Sequence, residues 1–387
     1  RCFAFLHPAE DRSGVGSGQP ARHAGGGSAP GGGSTAGGAT ASIGPLRVAV
    51  VGAAGQVGYA LLPMLAGGGV FGQDTQLCLQ CLDLNLPQVV DGMRGLEMEL
   101  QDGNFPLVLE ANFTIDEAVA FAGADYAILL GAHPQQDGQD RRELLEKNTM
   151  IFRTLGHALD KHASRDCKVL VAGHPACTNA LLCASYAPSL PRENFTALTR
   201  LDQNRALGQI ARRARVGAGE VRNIVVWGCS GKAPDLALAT VRGRPVAQAL
   251  SKDDDKLWLS EGMTAELLGR GANIQKARRS GCAMSMARAV ADHLRDLHRG
   301  AARGEVVSMG VWSDGNAYGI TGGLVFSMPV VCTGGGAYRA PASLRISGQC
   351  RERIREAERE LIADRECAQE IARKHGLAFA PCLPSEA

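Results

Sequence analysis

The chain lacks several features that would assign it to other classes of protein. No apolar stretch approaches the roughly 20 residues that a membrane-spanning helix needs, and no basic segment with an apolar core, as in a secretory signal, precedes the predicted fold. The formal net charge of +2 is spread along 387 residues instead of being gathered in a run of Lys and Arg. Neither nucleic acid nor a membrane surface is therefore expected as a partner.

The cysteines show no repeated spacing typical of a metal site. There are twelve, and most lie in hydrophobic segments, so we expect reduced thiols and no bound metal. Cys78 and Cys81 form a Cys-x-x-Cys, but they lie in a predicted strand, where residues three apart point to opposite faces. We therefore favour a structural role for that pair.

Apolar and acidic residues are scarce at the start of the chain. Residues 1–44 contain twelve glycines and two acidic residues, too few buried groups to offset the entropy of ordering the backbone, and we predict a disordered extension. Two interpretations of the compartment remain open. The protein is cytoplasmic with a flexible extension, or this segment belongs to an organellar transit peptide, although it has only three arginines.

What is present is a large hydrophobic content of 45% in a chain long enough for two domains. An apolar run from Leu46 ends at Gly52 and is followed by a helical pattern from Tyr59 to Leu65. Further strands are predicted at 76–82, 125–131, 168–172 and 223–227, with a helix-like stretch at 116–122. This alternation predicts an α/β fold with a Rossmann-type, doubly wound parallel sheet.

The second half of the chain has a different pattern. A long helical region is predicted at about 252–299, followed by two β-rich runs at 305–313 and 323–332 that are joined by turn residues. A closing amphipathic helix is predicted at 349–375, with its interleaved charges on a solvated face. We therefore expect an α+β domain after the doubly wound sheet.

A glycine-rich turn follows the first strand. Gly52, Gly55 and Gly58 fit Gly-x-x-Gly-x-x-Gly, in which glycines allow a tight turn and bring backbone N–H groups close to a pyrophosphate. Asp83 ends the next strand, where a carboxylate accepts hydrogen bonds from both ribose hydroxyls and repels a 2′-phosphate. The pattern favours NAD as the cofactor over NADP.

Four stretches carry a resemblance to a known family. They read Gly-Ala-Ala-Gly-Gln-Val-Gly-Tyr-Ala-Leu-Leu at 52–62, Leu-Thr-Arg-Leu-Asp-Gln-Asn-Arg-Ala-Leu-Gly-Gln-Ile at 198–210, Val-Ser-Met-Gly-Val-Trp-Ser-Asp-Gly-Asn at 307–316 and Phe-Ser-Met-Pro-Val at 326–330. From about Leu46 to Ala380 the sequence resembles the malate and lactate dehydrogenase family, in its cytosolic malate dehydrogenase branch. Homology of sequence and conservation of activity are separate questions.

The resemblance implies an activity, a fold and a set of partners. The family transfers a hydride between NAD and a 2-hydroxy acid such as malate, with oxaloacetate as the product, and its members form homodimers. It implies an NAD-binding Rossmann domain at 45–199 and a substrate and dimerisation domain at 200–380. It also implies the cofactor-binding residues Gly52, Gly55, Gln56, Val57, Gly58, Asp83, Gly131 and Asn148.

Part of the family's substrate machinery is present. The family uses a histidine to remove the hydroxyl proton, an aspartate to orient the imidazole and arginines to bind carboxylates. Asp202 matches the orienting aspartate, and Arg205 matches an arginine for the substrate carboxylate. The alternative interpretation is a structural ion pair within one helix, because residues three apart can pair locally.

The mobile loop at 131–142 keeps one of the family's two arginines. Arg141 matches the second, whereas Gln135 replaces the first. In related lactate dehydrogenases a glutamine at this position receives the methyl side of pyruvate. Loss of the cation removes hydrogen bonds worth about 1.5–3 kcal/mol each, so we expect weak binding of oxaloacetate.

The proton-transfer group of the family is missing. The bend from Trp227 to Asp235 contains no histidine and is about two residues shorter than in the family, and Ser230 aligns with the catalytic histidine. His174 replaces an asparagine that faces the substrate oxygen, and Cys282 lies where the family has a serine pair. His174 either forms a new dyad with Asp202 or fills an asparagine-sized gap.

Three hypotheses follow. The first is a working dehydrogenase of malate or of a monocarboxylate 2-hydroxy acid. The second is an inactive member that binds NAD and acts as a sensor or assembly component. The third is a structural descendant with no cofactor. Because general acid–base catalysis contributes about 10²–10⁴ in rate, we expect malate oxidation to be severely slowed.

Overall fold

The computed structural model describes residues 44–133, 138, 140–229, 231, 233–342, 344, 346 and 348–377. The described residues lie in one compact unit. The predicted extension at 1–44 lies outside them except for Gly44. Among the described helices, none combines the length and the apolar character that spanning a membrane would require.

The described residues form fourteen strands and eleven α-helices. The strands are β1 Leu46–Val51, β2 Leu77–Leu82, β3 Val108–Thr114, β4 Tyr126–Leu129, β5 Lys168–Val171, β6 Phe195–Ala197, β7 Val221–Arg222, β8 Val225–Trp227, β9 Ala233–Asp235, β10 Thr240–Val241, β11 Arg244–Pro245, β12 Val307–Trp312, β13 Val325–Gly334 and β14 Ala337–Arg339. The helices are α1 Gln56–Ala66, α2 Pro87–Asp102, α3 Glu117–Ala120, α4 Arg141–His162, α5 Ala176–Ser185, α6 Arg200–Ala214, α7 Val246–Ala249, α8 Asp253–Leu257, α9 Met263–Arg278, α10 Ala283–Arg299 and α11 Gly348–Lys374.

Nine strands form the main sheet, in the order β14-β13-β12-β6-β5-β4-β1-β2-β3. Strands β1 to β6 are parallel, and β12 joins β6 in antiparallel fashion at Gly310 and Ala197. Strand β2 is buried at all six positions, because a central parallel strand has helices on both faces. The predicted α/β class and doubly wound sheet are confirmed.

The core is divided between the two faces of the sheet. On one face α1 packs against α10, where Leu61 and Leu65 lie in the same cluster as Val290 and Leu294. Apolar residues three or four apart give each helix one buried stripe. On the other face α4, α5 and α11 cover the sheet around Phe152. The carboxyl ends of the parallel strands stay accessible between these layers.

Two predicted elements need correction. The run at 223–227 was expected to continue the parallel sheet, but Val225–Trp227 pairs antiparallel with Ala233–Asp235, and the three-residue strand β6 takes the place in the sheet. Strand β6 has three residues, which is too short a run for the sequence pattern to indicate a strand. The long helical region at 252–299 is interrupted, because α9 ends at Arg278, Arg279 follows in the left-handed conformation, and α10 starts at Ala283.

The sheet continues across the predicted domain boundary between residues 199 and 200. Gly310 pairs with Ala197, and the two strands belong to opposite sides of that boundary. The boundary therefore separates sequence segments that share one sheet, and it stays a prediction.

The expectation that the cysteines are reduced thiols is wrong for one pair. Cys177 and Cys229 form a disulfide with a Cα–Cα distance of 6.0 Å. Spacing along the chain could not reveal it, because the two residues are 52 positions apart and meet only when α5 packs beside the end of β8. Cys78 and Cys81 are free and buried in β2, as the strand interpretation predicts.

Candidate functional site

A cavity lies at the carboxyl ends of the central strands. The strand order places β1 between β4 and β2, so the chain leaves β1 where the direction of winding reverses, which is the usual ligand-binding position in open α/β sheets. The cavity has a volume of about 470 Å³ and is bordered by Gly52, Asp83 and Gly131. Leu84, Ile115 and Ile151 give it an apolar wall. Its size and lining suit the adenosine part of a dinucleotide.

Close backbone contacts explain the glycines of the turn. Gly52 has φ +84°, and a Cβ there would lie 3.1 Å from the Gly131 nitrogen. A Cβ on Gly58 would lie 2.3 Å from the Ala53 carbonyl oxygen. Gly55 precedes α1 without a side-chain cap. The first N–H groups of α1 are therefore free of a capping side chain, as an anion-binding helix start requires.

Asp83 is held beside this turn. Its Oδ2 accepts a hydrogen bond from the Ala54 N–H at 2.9 Å, and its Oδ1 accepts one from the Leu84 N–H at 2.8 Å. Each carboxylate oxygen keeps capacity for a further donor. The position at the end of β2 is the one predicted for a group that binds ribose hydroxyls.

Three further predicted cofactor residues lie along the same edge. Gln56 begins α1, and its Oε1 accepts a hydrogen bond from the Ser280 hydroxyl at 2.6 Å. Val57 follows it and is half-buried. Asn148 is fully buried in α4, and its Oδ1 accepts the His133 N–H at 2.8 Å. Its Nδ2 has no partner among the described residues, and a role in cofactor binding stays a prediction for all three.

Together these residues fit an NAD molecule. The glycine turn leaves space and open N–H groups for a pyrophosphate, Asp83 supplies acceptors for ribose, and the apolar wall borders the cavity next to Asp83. The unpartnered Asn148 Nδ2 is a donor still available along this edge.

Asp202 and Arg205 meet on α6. Arg205 donates from an Nη to Asp202 Oδ1 at 3.2 Å, so the local ion pair that the spacing allows is present. Burial raises the pKa of Asp202, and the charge of Arg205 opposes that shift. The pairing orients both groups toward each other, which is compatible with either a structural or a substrate-binding role.

One edge of the Arg205 guanidinium is without a strong acceptor. Its Nε is buried and has no partner among the described residues. Within the described part of the chain, the other Nη has the sulfur of Cys282 as its hydrogen-bond partner, at 3.5 Å. A thiol is a weak acceptor, and a buried unsatisfied donor is costly. This edge has the donors that a carboxylate would bind in bidentate fashion.

The bend after β8 lies against Asp202. Gly231 has φ +66°, and a Cβ there would lie 2.8 Å from the Asp202 Cγ. The backbone of the bend therefore occupies the space directly beside the carboxylate. Ser230, predicted at the position of the catalytic histidine, lies outside the described residues, as does Gln135.

His174 follows β5 and precedes Pro175 across a cis peptide bond. The ring has an exposed surface but sits against the protein, and this desolvation, together with the positive charge of Arg141, lowers the pKa of His174. No hydrogen bond joins His174 to Asp202 within the described part of the chain. The predicted dyad is therefore not formed in this conformation.

Arg141 lies at the start of α4 and is engaged by another part of the protein. Its Nε and one Nη donate to the two carboxylate oxygens of Asp364 on α11, at 2.6 and 2.7 Å. Thr178 also donates to Asp364, at 2.7 Å, and the Asp364 side chain is 2% exposed. The arginine predicted to bind substrate thus has a protein carboxylate as its partner.

Sequence reasoning missed Asp364 and the Cys177–Cys229 pair. The charges of α11 were interpreted as a solvated face, and Asp364 is a buried exception that contacts a residue 223 positions away. The available signal was that Asp364 falls in phase with the apolar stripe of α11, three residues after the buried Leu361 and four before the buried Ala368. For the cysteine pair the sequence offers no signal.

A second cavity borders the same helix. It has a volume of about 560 Å³ and lies between α6, α9 and α10, with Arg205 at its wall. Four further arginines line it: Arg212, Arg213, Arg270 and Arg288. Arg213 and Arg288 form ion pairs with Asp255 and Asp292. The cations make this side of α6 favourable for small anions.

Comparison with known proteins places these features in a family. Residues 46–196 match the lactate/malate dehydrogenase NAD binding domain, and residues 199–372 match the lactate/malate dehydrogenase alpha/beta C-terminal domain. The chain is 43% identical over 297 residues to a cytoplasmic malate dehydrogenase of Zea mays. The aligned region covers 75% of this chain and 88% of the maize protein.

Two solved structures show the same architecture. Malate dehydrogenase from Naegleria fowleri aligns with a TM-score of 0.78 at 36% identity, over 85% of this chain and 99% of the other. Trichomonas vaginalis lactate dehydrogenase in complex with NADH and oxamate aligns with a TM-score of 0.78 at 33% identity, over 85% of this chain and 99% of the other.

Proposed function

Because the chain belongs to the lactate/malate dehydrogenase family, we propose that it binds NAD together with a small 2-oxo or 2-hydroxy acid and transfers hydride between them only slowly. The cofactor prediction is confirmed by the match to the family's NAD binding domain over residues 46–196. The family acts on 2-hydroxy and 2-oxo acids. What remains to be tested is which acid this chain binds and how fast it reacts.

The open edge of Arg205 carries the proposal. A buried guanidinium with an unpartnered Nε, next to a thiol that accepts weakly, favours binding of a carboxylate. Such a pair is held by two charge-assisted hydrogen bonds, each worth about 1.5–3 kcal/mol. Arg205 is therefore assigned the role of holding the acid, while Asp202 orients the guanidinium.

Proton transfer is the weak step. Bound NAD supplies the hydride acceptor, so the remaining requirement is a base for the hydroxyl proton. Asp202 is covered by Gly231 and paired with Arg205, and His174 makes no hydrogen bond to it. His174, with its lowered pKa, is neutral near pH 7 and available as a base, but no orienting hydrogen-bond partner for it lies among the described residues.

Two observations favour a monocarboxylate substrate. Gln135 lacks the cation that the family places for a second carboxylate, and Arg141 is held in bidentate fashion by Asp364. A dicarboxylate would therefore lack both cations that the family's loop offers to it. We assign the site a preference for pyruvate-like acids over oxaloacetate.

A second candidate function is NAD binding without turnover. The contact between Gly231 and Asp202 favours it, because it leaves no space for an imidazole at the carboxylate. In that case the protein would act as a sensor of NAD or as part of an assembly. Ligand binding and catalysis must therefore be measured separately.

The test begins with ligand binding. NADH fluorescence titration should saturate, and oxamate should bind to the NADH complex. Arg205→Gln is expected to weaken oxamate binding by about 100-fold or more, because two charge-assisted bonds of about 1.5–3 kcal/mol each are lost, and to leave NADH binding within about twofold. Arg205→Lys should give an intermediate loss, since it keeps the charge but not the forked geometry.

Arg212→Gln is the matched control, because it removes an exposed cation from the same cavity. An equal loss in both variants would show that general charge, and not the Arg205 edge, binds the acid. Absence of NADH saturation would exclude cofactor binding. Turnover is then assayed with oxaloacetate, pyruvate and longer 2-oxo acids, and loss of turnover in His174→Asn would assign the base to His174.

Two further proposals follow from the relatives. We propose a homodimer, as the resemblance implies, which light scattering after size exclusion would check. We also propose a cytoplasmic location, since several relatives carry that word in their names. Import of the tagged full chain into an organelle would favour the transit-peptide alternative for residues 1–44.

A further inference from the structure

The disulfide between Cys177 and Cys229 lies between two segments of the candidate site. Cys177 is the second residue of α5 and follows His174 by three positions. Cys229 follows β8 and lies two positions before Gly231. We propose that this pair is a thiol-exchange site, which small or protein thiols reduce, and whose bond fixes the bend against Asp202.

The two sulfurs differ in access. Cys177 is fully buried, whereas Cys229 is partly exposed. Disulfide exchange requires attack by a thiolate on an accessible sulfur. An incoming thiolate would therefore bond to the sulfur of Cys229, and the electron pair of the broken S–S bond would go to Cys177.

The N-terminus of α5 stabilises the thiolate forms of Cys177 and Cys229. The backbone N–H of Cys177 points at the Cys229 sulfur at 3.1 Å, and both sulfurs lie at the N-terminus of the ten-residue helix α5. A helix N-terminus lowers the pKa of a nearby thiol and so stabilises its thiolate. The same N–H that now contacts the disulfide would hold the Cys229 thiolate after reduction.

The exchange balances with two thiol equivalents. The first thiol loses its proton and forms a mixed disulfide with Cys229, and Cys177 leaves as a thiolate that takes up a proton. The second thiol attacks the sulfur of the first, so a small-molecule disulfide is released and Cys229 becomes a thiol. The protein gains two electrons and two protons, and the two external thiols are oxidised.

Other described cysteines contrast with this pair. Burial raises the pKa of Cys81, Cys167 and Cys350 to about 12 in each case. Buried thiols of this kind react slowly, because the thiolate is the reactive form. Cys183 lies on the same helix as Cys177 and is equally buried, but it is a free thiol. It therefore provides a matched control.

The bend is fixed at three points. A Cβ on Gly228 would lie 2.6 Å from the Cβ of Ala357 on α11, so this glycine packs directly on the helix. Gly231 lies on Asp202 in the same way, and Cys229 is bonded to α5 between them. Reduction removes the central covalent point and leaves the packing of the two glycines and the hydrogen bond from the Gly228 N–H to the Ser327 carbonyl oxygen. Access to Asp202 therefore depends on the redox state of the pair.

The first measurement uses the full chain in glutathione buffers that range from fully reduced to fully oxidised. Acid quenching, alkylation and peptide mass analysis give the fraction of Cys177 and Cys229 that is linked. We expect a reversible change from linked to alkylated within that range. The proposal is overturned if the two residues remain alkylatable in oxidised glutathione, or if dithiothreitol fails to reduce the bond in the folded protein.

The second measurement is hydrogen exchange of the segment 228–235. We expect exchange to become about tenfold faster on reduction, because the bend opens locally. Cys183→Ala should keep this response, whereas Cys177→Ala and Cys229→Ala should show fast exchange in every buffer. Equal exchange in the linked and reduced forms would overturn the role of the bond in fixing the bend.

Oxamate binding to the NADH complex is a third readout, and it rests on the proposed function. We expect it to weaken about threefold to tenfold on reduction, because the pair beside Gly231 becomes less well ordered. If oxamate binds in neither redox state, the proposed function is wrong, while the peptide and exchange measurements still decide the redox proposal. Equal oxamate affinity in both states would show that the bend does not influence the acid site.

Discussion

The cofactor edge and the substrate edge of this site are built differently. At the cofactor edge, Gly52, Gly58 and Asp83 lie within 32 consecutive residues and act through backbone conformation and one carboxylate. At the substrate edge, Arg141 contacts a residue 223 positions away, and Cys177 bonds to one 52 positions away. The first edge is local in sequence, and the second depends on tertiary contacts.

We propose that this difference has allowed the two edges to diverge from the family to different degrees. At Gly58 an added Cβ would clash with backbone, which cannot move aside without shifting α1. Side chains at the ends of separate elements can be replaced one by one without loss of the fold. The sheet and the NAD binding domain match the family, and we propose that the groups that move a proton do not. Four experiments test this difference between the two edges.

The largest effect is expected at the cofactor edge. A Cβ at Gly58 would lie 2.3 Å from the Ala53 carbonyl oxygen, so Gly58→Ala must move α1 away from the turn. We expect NADH affinity to fall by about 100-fold or more, since the turn and helix start that face the pyrophosphate are displaced. NADH fluorescence titration measures this, and thermal unfolding shows whether the variant is folded.

Gly92→Ala is the matched control for that change. Gly92 lies within α2, and a Cβ there would have nothing within 4 Å. Alanine favours a helix over glycine by up to about 1 kcal/mol, so stability should rise slightly and NADH affinity should be unchanged. If Gly58→Ala binds NADH like the wild type, the cofactor edge is not fixed by this glycine.

The next effect concerns substrate choice. Gln135→Arg restores the cation that the family provides for a second carboxylate. We expect kcat/KM for oxaloacetate relative to pyruvate to rise about 10- to 50-fold, which corresponds to one charge-assisted hydrogen bond. Steady-state kinetics with both acids measure the ratio. Gln136→Arg, the neighbouring position, serves as the control, and a similar rise there would indicate a general charge effect.

The sequence predicted the cofactor edge because each of its parts has a local signature. An apolar run, three spaced glycines and a terminal Asp83 specify a strand, a turn and an acceptor without reference to the rest of the chain. It also located Asp202 and Arg205, since their spacing allows the pair that is present. It could not reveal Asp364 as the partner of Arg141, because helical periodicity gives one buried stripe and does not identify the residue opposite.

A third experiment tests how firmly Arg141 is held. Asp364→Asn removes the charge from a buried carboxylate but keeps its shape and its contact with Thr178. The Arg141 side chain is 57% exposed, so solvent screens the pair, and we expect a loss of about 1–2 kcal/mol and a fall in Tm of a few degrees.

The control for that pair joins the same two helices. Glu370→Gln removes the exposed partner of Arg142, where both side chains are about half exposed, and should change stability by less than about 0.5 kcal/mol. Substrate binding adds a second readout. If Arg141 is released to bind acids, Asp364→Asn should strengthen oxaloacetate binding, and an unchanged affinity would indicate a purely structural pair.

The smallest effect concerns a contact between the layers that carry the two edges. His293 on α10 is fully buried and hydrogen-bonds to Thr196 on β6 at 3.1 Å. Burial, together with the positive charge of Arg200, lowers the pKa of His293 to about 3. Below the unfolded-state pKa of about 6.5, the imidazole of His293 binds a proton in the unfolded chain and stays neutral in the folded chain.

The free energy of unfolding must therefore fall as the pH decreases below about 6.5 toward about 3. Well above pH 6.5 this histidine causes no loss of stability. Between pH 7 and pH 6 the linkage relation gives a loss of about 0.7 kcal/mol from this one group. His293→Gln keeps a polar group for Thr196 and removes the titrating imidazole. Between pH 7 and pH 6, the free energy of unfolding of this variant in urea should therefore fall by about 0.7 kcal/mol less than that of the wild type. His157→Gln, at an exposed histidine of α4, should match the wild type. An identical pH dependence in His293→Gln would mean that His293 titrates alike in both states, and that the layer joining the two edges is more open to water than its packing indicates.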